Sequence, residues 1–396
     1  MKRTLASFPA AALAGKRVFV RVDFNVPVKD GKAGDDTRIR GALPTIRLIL
    51  KAGGSCVLAS HLGRPKGKVA EEFRMSPVAT RLRELLPGVT LTAVRDVIGT
   101  EAQAAAKALR PGEVLLLENL RFEAGEEKND PALARALAGF ADLFVQDAFG
   151  TCHRAHASTA ALPGILKPAL AGLLVEKEIN AFQQIMIAPK KPFVAVIGGA
   201  KVSDKILVLE SLLTKVDAIL IGGGMAYTFL KAQGLGIGKS LCEEDRLDTA
   251  REILQKAAER GVTVMLPTDH VCAERFAADG PTRIVGGAVP EGWMGLDIGP
   301  ATRAAYAAKL RGAKTVLWNG PMGVFEMAPF AAGTLEIAKL LAASDCVSVV
   351  GGGDSVAAVM KAGVAEQITH ISTGGGAFLE MLEGAYMPGI AALDPA

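Results

Sequence analysis

Cysteine is scarce in this chain: five occur among 396 residues (Cys56, Cys152, Cys242, Cys272 and Cys346), and no two share a C-x-x-C spacing. That argues against a disulfide framework and a thiolate zinc site, and it fits a reducing compartment. No run approaches the roughly 20 apolar residues that cross a bilayer. Met1 to Leu13 carries Lys2 and Arg3 but no uninterrupted apolar stretch of signal-peptide length. A soluble cytoplasmic protein with no membrane partner is therefore expected. Aromatic residues make up only 5%, and without a basic tail or stacking motif nucleic acid is not an expected partner. A nicotinamide-dependent dehydrogenase is disfavoured, because no G-x-G-x-x-G follows any candidate strand.

What is present is a long, half-apolar chain with 44 glycines. At roughly 100 to 200 residues per domain, the length predicts at least two domains, each able to bury its own core. The net charge of +4 is unevenly spread: residues 1–170 hold 25 Lys and Arg against 17 Asp and Glu, and the remainder 20 against 24. A basic half with interleaved acids suits a small, highly charged anion.

Short β-branched runs alternate with longer Ala, Leu, Lys and Glu segments, the pattern of α/β units with parallel strands. The first series predicts strands over 17–22, 55–59, 89–91, 114–117 and 143–146, with helices over 41–52, 76–86, 101–109 and 131–139. The second predicts strands over 193–197, 218–221, 263–266, 315–318 and 347–350. Residues 170–187 show no strand character and read as a helix ended by Pro189 and Pro192. The expected fold class is α/β, with two doubly wound, Rossmann-like parallel-sheet domains joined by a helix: 1–170, a linker at 171–187, and 188–377.

In such sheets, ligands collect beyond the carboxyl ends of the strands. In the first half those places carry Arg21-Val22-Asp23-Phe24-Asn25-Val26-Pro27, then Ser60-His61-Leu62-Gly63-Arg64-Pro65, Glu118-Asn119-Leu120-Arg121-Phe122, and the stretch Gln146 to Ser158 with His153, Arg154 and His156. Asp36-Thr37-Arg38-Ile39-Arg40 follows soon after the first. Guanidinium forks bind phosphate and carboxylate bidentately, so several converging on one cleft suit a compact phosphorylated acid. Asp23 and Asn25 could equally be turn residues. His61, His153 and His156 lack an acidic or thiol neighbour at ligand spacing, which speaks against a metal there.

The second half places glycine clusters after its strands: Gly198-Gly199-Ala200-Lys201 through Lys205, Gly222-Gly223-Gly224, Gly351-Gly352-Gly353-Asp354-Ser355, and Gly374-Gly375-Gly376-Ala377 after Thr373. Glycine lets backbone amides approach an anion, and a helix start adds a favourable dipole. Asp354 could cap its helix or hold a magnesium ion between nucleotide phosphates. Asn319 and Glu326, in the Trp318 to Glu326 loop, could bond a ribose. Gly234 to Ser240 imitates a P-loop, but Gln233 stands where its first glycine belongs and a helical pattern precedes it, so a surface loop is expected.

Together these motifs, in order and spacing across essentially the whole chain, resemble the phosphoglycerate kinase family. The resemblance implies two α/β domains, phosphoglycerate on the first and nucleotide on the second, and reversible phosphoryl transfer between 1,3-bisphosphoglycerate and ADP with Mg2+. It also implies a monomer, and a tail over about 378–396 that packs back on the first domain. Carried over by motif, Asp23, Asn25, Arg38, His61, Leu62, Gly63, Arg64, Arg121 and Arg154 would form the phosphoglycerate pocket. Gly199, Ala200, Lys201, Lys205, Gly223, Gly295, Asn319, Glu326, Gly352, Gly353, Asp354 and Ser355 would form the nucleotide side, with Asp354 on the metal. Arg38, Lys201 and the amides of Gly374, Gly375 and Gly376 would contact the moving phosphoryl group. Two positions depart from the family pattern: Gln146 stands where Asn is frequent, and Cys152 where a small residue such as Ala is common. A non-catalytic sugar-phosphate or nucleotide sensor is the alternative; it would bind both ligands without turnover.

Overall fold

The computed structural model describes residues 2–396, which divide into two compact units: residues 2–179 with 385–396, and residues 180–384. In the first, six parallel strands, β1 (Arg17–Val22), β2 (Ser55–Ala59), β3 (Leu91–Ala93), β4 (Val114–Leu116), β5 (Leu143–Asp147) and β6 (Ala169–Ala171), lie in the order β3-β4-β2-β1-β5-β6. Val18, Phe19 and Val20 are fully buried. Such unbroken apolar runs arise because helices cover both faces of a parallel sheet. One face packs Ile39, Ile46 and Ile49 of helix Thr37–Lys51 against Val78 and Leu82 of helix Ser76–Leu85.

The second unit repeats the design with β7 (Phe193–Ile197), β8 (Ala218–Ile221), β9 (Thr263–Met265), then β10 (Asp269–Ala273), β11 (Thr282–Gly286), β12 (Met294–Ile298), and β13 (Thr315–Asn319), β14 (Val347–Gly351) and β15 (His370–Ile371). The parallel sheet runs β9-β8-β7-β13-β14-β15, and β11-β10-β12 forms a separate antiparallel sheet. Strand order reverses between β1 and β5 in one unit and between β7 and β13 in the other. A crevice opens at such points beyond the strand ends.

Several expectations need correction. Residues 170 and 171 belong to β6, because Ala169–Ala171 pairs with Phe144, Val145 and Gln146 at the sheet edge; the helix that follows is Leu173–Phe182, continued by a wide π turn, Gln183–Ile187. The division of the chain falls within that helix, at residue 179, and the returning tail begins at Ala385 rather than near 378. Phe378 sits instead in helix Gly376–Leu382 of the second unit, where the Leu382 carbonyl accepts from the Ser211 hydroxyl. The first long helix starts at Thr37, ahead of residue 41, and carries Arg38 in its first turn. The third strand lies at 91–93 rather than 89–91. Gly234 to Ser240 is a largely exposed loop, as expected, tethered where Ile237 bridges to Val289 and where Gly238 lies so close to the chain at 290–293 that a Cβ would meet the Trp293 carbonyl at 2.3 Å.

Candidate functional site

In the first unit, the strand-end arginines do converge. His61, at the end of β2, is almost wholly buried, and its pKa is driven well below the imidazole range by burial and then by the charges of Arg21, Arg121 and Arg38. His156 is pushed down to about 3 by burial, with Arg21, Arg121 and Arg154 adding to it. Both rings are therefore neutral near pH 7. Four guanidinium groups crowd around them, and the carboxylates that offset this charge are Asp23, Glu126 and Glu127. The excess is what an anion would neutralise.

Each group has a definite mooring. Arg38 Nη1 donates to Asp23 Oδ2 at 2.8 Å, and Asp23 Oδ1 accepts from the Asn25 amide at 3.1 Å. Asn25 Oδ1 in turn accepts from the Gly63 amide at 2.9 Å. Arg121 Nη1 donates to the Gly63 carbonyl at 2.8 Å. Gly63 has a φ of +61°, and a Cβ there would lie 2.2 Å from the Phe73 ring. Leu62 contributes backbone: its amide and carbonyl both bond the buried Asn119 side chain. Arg154 Nε donates to His153 Nε2 at 2.9 Å. Arg64 is exposed and pairs with no group among the described residues.

Two positioning residues escaped sequence reasoning. Asn119 ties the His61 to Gly63 turn to the Arg121 loop, accepting from the amides of Leu62 and Arg121 and donating to the carbonyls of Leu62 and Phe73. Glu126 is fully buried and accepts from the Ser158 hydroxyl at 2.6 Å and the Ser158 amide at 3.0 Å, while Ser158 Oγ accepts from Arg21 Nε at 2.8 Å. Cys152, also buried, has its thiol pKa raised by desolvation, the environment of an inert small core residue.

The neutral histidines set a pH dependence. Below about pH 6.5 the unfolded chain protonates His156, whereas the folded one resists until about 3. Stability is therefore lost as pH falls through that window, by about 1.4 kcal/mol per pH unit. Urea unfolding of His156→Gln should show a shallower acid loss than the unsubstituted protein; equal slopes would refute the assignment.

In the second unit, a cavity of about 680 Å³ lies beyond the strand ends, its wall including Gly199, Gly223, Gly295, Leu241, Phe276 and Met294. Its largely apolar lining suits a planar heterocycle. The exposed carboxylates of Glu326 and Asp354 also border it. The glycine turns of the cavity pack against the Pro321-Met322 turn. The Gly199 amide donates to the Pro321 carbonyl and the Gly223 amide to the Met322 carbonyl, so neither is open to a phosphate. They permit close approach: a Cβ on Gly223 would meet the Gly199 carbonyl at 2.6 Å, and one on Gly295 would meet the Tyr227 hydroxyl at 1.7 Å.

The open amides lie elsewhere. Gly353 and Asp354 start helix Gly353–Lys361 after Gly352 (φ +92°), and their N–H groups find no acceptor among the described residues. Gly375 and Gly376 are similar, but the Gly374 amide already donates to Ser372 Oγ at 3.2 Å. Asn319 is buried and fully engaged: its Nδ2 donates to the Gly351 carbonyl at 2.7 Å and its Oδ1 accepts from Lys205 Nζ. It therefore holds Lys205 to the end of β14. Burial lowers the Lys205 pKa, with Asp204, Asp354 and Glu383 opposing. Ser355 Oγ accepts from the Gly320 amide, a structural role. Lys201 is exposed and unpaired, and Ala200 lines the cavity.

Arginines are thus gathered around two neutral histidines in one Rossmann-like unit, and an apolar cavity lies beside open helix amides and lysines in the other. The profile of the family described as phosphoglycerate kinase matches residues 9–385. A phosphoglycerate kinase of Moorella thermoacetica is 60% identical over 382 residues, 96% of this chain and 97% of that one. One of Acaryochloris marina is 56% identical over 400 residues and the full length of both. The solved phosphoglycerate kinase of Coxiella burnetii superposes with a TM-score of 0.91 at 43% identity, covering 99% of this chain and 98% of that one. The chain belongs to the phosphoglycerate kinase family.

Proposed function

We propose that the protein catalyses reversible transfer of a phosphoryl group from 1,3-bisphosphoglycerate to ADP, giving 3-phosphoglycerate and ATP, as a cytoplasmic monomer in glycolysis and gluconeogenesis. The observation that carries this reading is the excess of guanidinium charge around His61 and His156 in a chain whose relatives bear that enzyme's name. Arg38, Arg121 and Arg154 would hold the phosphoglycerate, with Asp23, Asn25 and the 61–64 turn fixing their geometry. The cavity would take the base, and Lys205, Lys201 and the Gly353 and Asp354 amides the phosphates.

Phosphoryl transfer needs in-line placement and charge neutralisation rather than a protein nucleophile. The acceptor is already an ionised phosphate or carboxylate, so no general base is needed. Arg38, Lys201 and the amides of Gly375 and Gly376 would neutralise charge on the moving group. Asp354 fits a magnesium ligand: an unpaired carboxylate at a helix start, close enough to Lys205 to raise its pKa. Magnesium, when bound, would neutralise nucleotide phosphate charge. With the two ligands on separate units, transfer requires the units to approach, and helix Leu173–Phe182 and the Thr373 to Gly376 turn are the proposed flexing segments.

Calorimetry tests the division of labour. Asp354→Asn should weaken magnesium-ADP binding about tenfold or more and leave 3-phosphoglycerate affinity unchanged. The reverse pattern would overturn the assignment of ligands to units.

A further inference from the structure

Asp297 has no place in the chemistry above, yet it is 2% exposed and forms part of the cavity wall. It lies on β12, and its two oxygens take different loads. Oδ1 accepts from the Ile298 amide at 2.9 Å, and Oδ2 accepts from the Gly333 amide at 2.8 Å, at the start of helix Ala332–Ala342. The packing leaves no slack, because a Cβ on Gly323 or on Gly333 would come within 2.3 Å of Oδ1.

From that helix start, hydrogen bonds continue to both glycine turns of the cavity. Thr334 Oγ1 accepts from the Met322 amide at 3.0 Å. The Met322 carbonyl accepts from the Gly223 amide at 2.9 Å, and the neighbouring Pro321 carbonyl from the Gly199 amide at 3.1 Å. Resting on the reading that this cavity holds nucleotide, we propose that Asp297 is a positioning residue: its carboxylate fixes the start of helix Ala332–Ala342, the Pro321-Met322 turn follows, and its charge state thereby sets how tightly nucleotide binds.

The surroundings favour such control. Burial pushes the Asp297 carboxyl up to about 7, against the pull of its two amide donors. The charged and titratable groups that bear on it are Arg303 and Glu336, which pair with each other, and the Tyr227 phenol. The ionised carboxylate can accept from both amides. Protonation turns one oxygen into a hydroxyl, which weakens one of those bonds and removes the charge that favours a helix start. Coupling is reciprocal, so nucleotide binding must lower the carboxyl pKa and expel part of a proton near pH 7.

The test is calorimetric titration of full-length protein with magnesium-ADP from about pH 5.5 to 8.5, repeated in buffers of different ionisation enthalpy to count protons. Asp297→Asn should bind about tenfold more weakly than the unsubstituted protein at the alkaline end and within about twofold at the acid end. Taking this ratio cancels the titration of ADP itself, and the variant should release fewer protons. Thr334→Val, which leaves the carboxyl intact but removes the acceptor for Met322, should weaken binding and also reduce proton release; this second variant decides the matter if Asp297→Asn does not fold. A ratio independent of pH, or unaltered proton release in both variants, would overturn the inference while leaving the nucleotide reading in place. Failure of the unsubstituted protein to bind ADP at any pH would overturn the nucleotide reading itself.

Discussion

Arg38→Ala is expected to lower kcat by roughly 10³-fold or more, the scale on which a guanidinium acts on a transferring phosphoryl group. Its position explains why. Arg38 sits in the first turn of helix Thr37–Lys51 with one nitrogen fixed by Asp23, and its side chain remains 38% exposed. Asp23 thus holds the planar fork in place while the remaining donors face outward. Arg38→Lys should recover little, because a single ammonium cannot keep Asp23 and also present two parallel donors. The proper comparison is single-turnover rate together with 3-phosphoglycerate affinity. A rate loss with affinity changed only a few-fold marks an interaction made mainly in the transition state. Near-normal kcat in Arg38→Ala would remove Arg38 from the reaction altogether.

Glu126→Ala is expected to cost about 3 kcal/mol of stability, because removing the larger carboxylate partner of a buried charge leaves it with only the partial offset of Asp23. The charge left behind is that of Arg21, which is fully buried between β1 and the Ser158 segment. Two further donors, the hydroxyl and amide of Ser158, would lose their acceptor at the same time. Glu126→Gln keeps an acceptor but not the charge, so its loss should be smaller. The 147–158 loop should loosen along with Arg154, and 3-phosphoglycerate binding should weaken at temperatures where the variant is still folded. Urea unfolding that shows a change below about 1 kcal/mol for Glu126→Ala would mean that solvent reaches Arg21 and that the cluster is not what fixes the loop.

The parallel strands were legible because a strand covered on both faces must be apolar throughout, as Phe193–Ile197 and Ala218–Ile221 are. Ala169–Ala171 was not, since Ala-Leu-Ala carries no β-branched residue and forms a strand only where an edge is waiting to pair with it. The β10-β11-β12 sheet was missed for a related reason: β11 is mostly exposed, and β10 places Asp269 and His270 inside, with His270 bonded to Tyr227. Residue type and position, at strand ends for Arg121 and Arg154 and in a helix start for Arg38, pointed to the guanidinium groups that gather around His61 and His156. Asn119, Glu126 and Asp297 act through partners distant in sequence and look like ordinary loop or strand polar groups until the chain is folded. The glycines were half legible. Their clustering marked the strand ends around the cavity, but whether an amide is open, as in Gly353, or already bonded, as in Gly199, depends on which carbonyl packs beside it.

The central claim is tested most directly by turnover. Purified protein supplied with 3-phosphoglycerate, ATP and magnesium, with the acyl phosphate product consumed by a coupled reduction, should give a steady rate that requires both substrates and disappears in Arg38→Ala. Tight binding of both ligands without any product would contradict the account and leave a sensor in place of an enzyme.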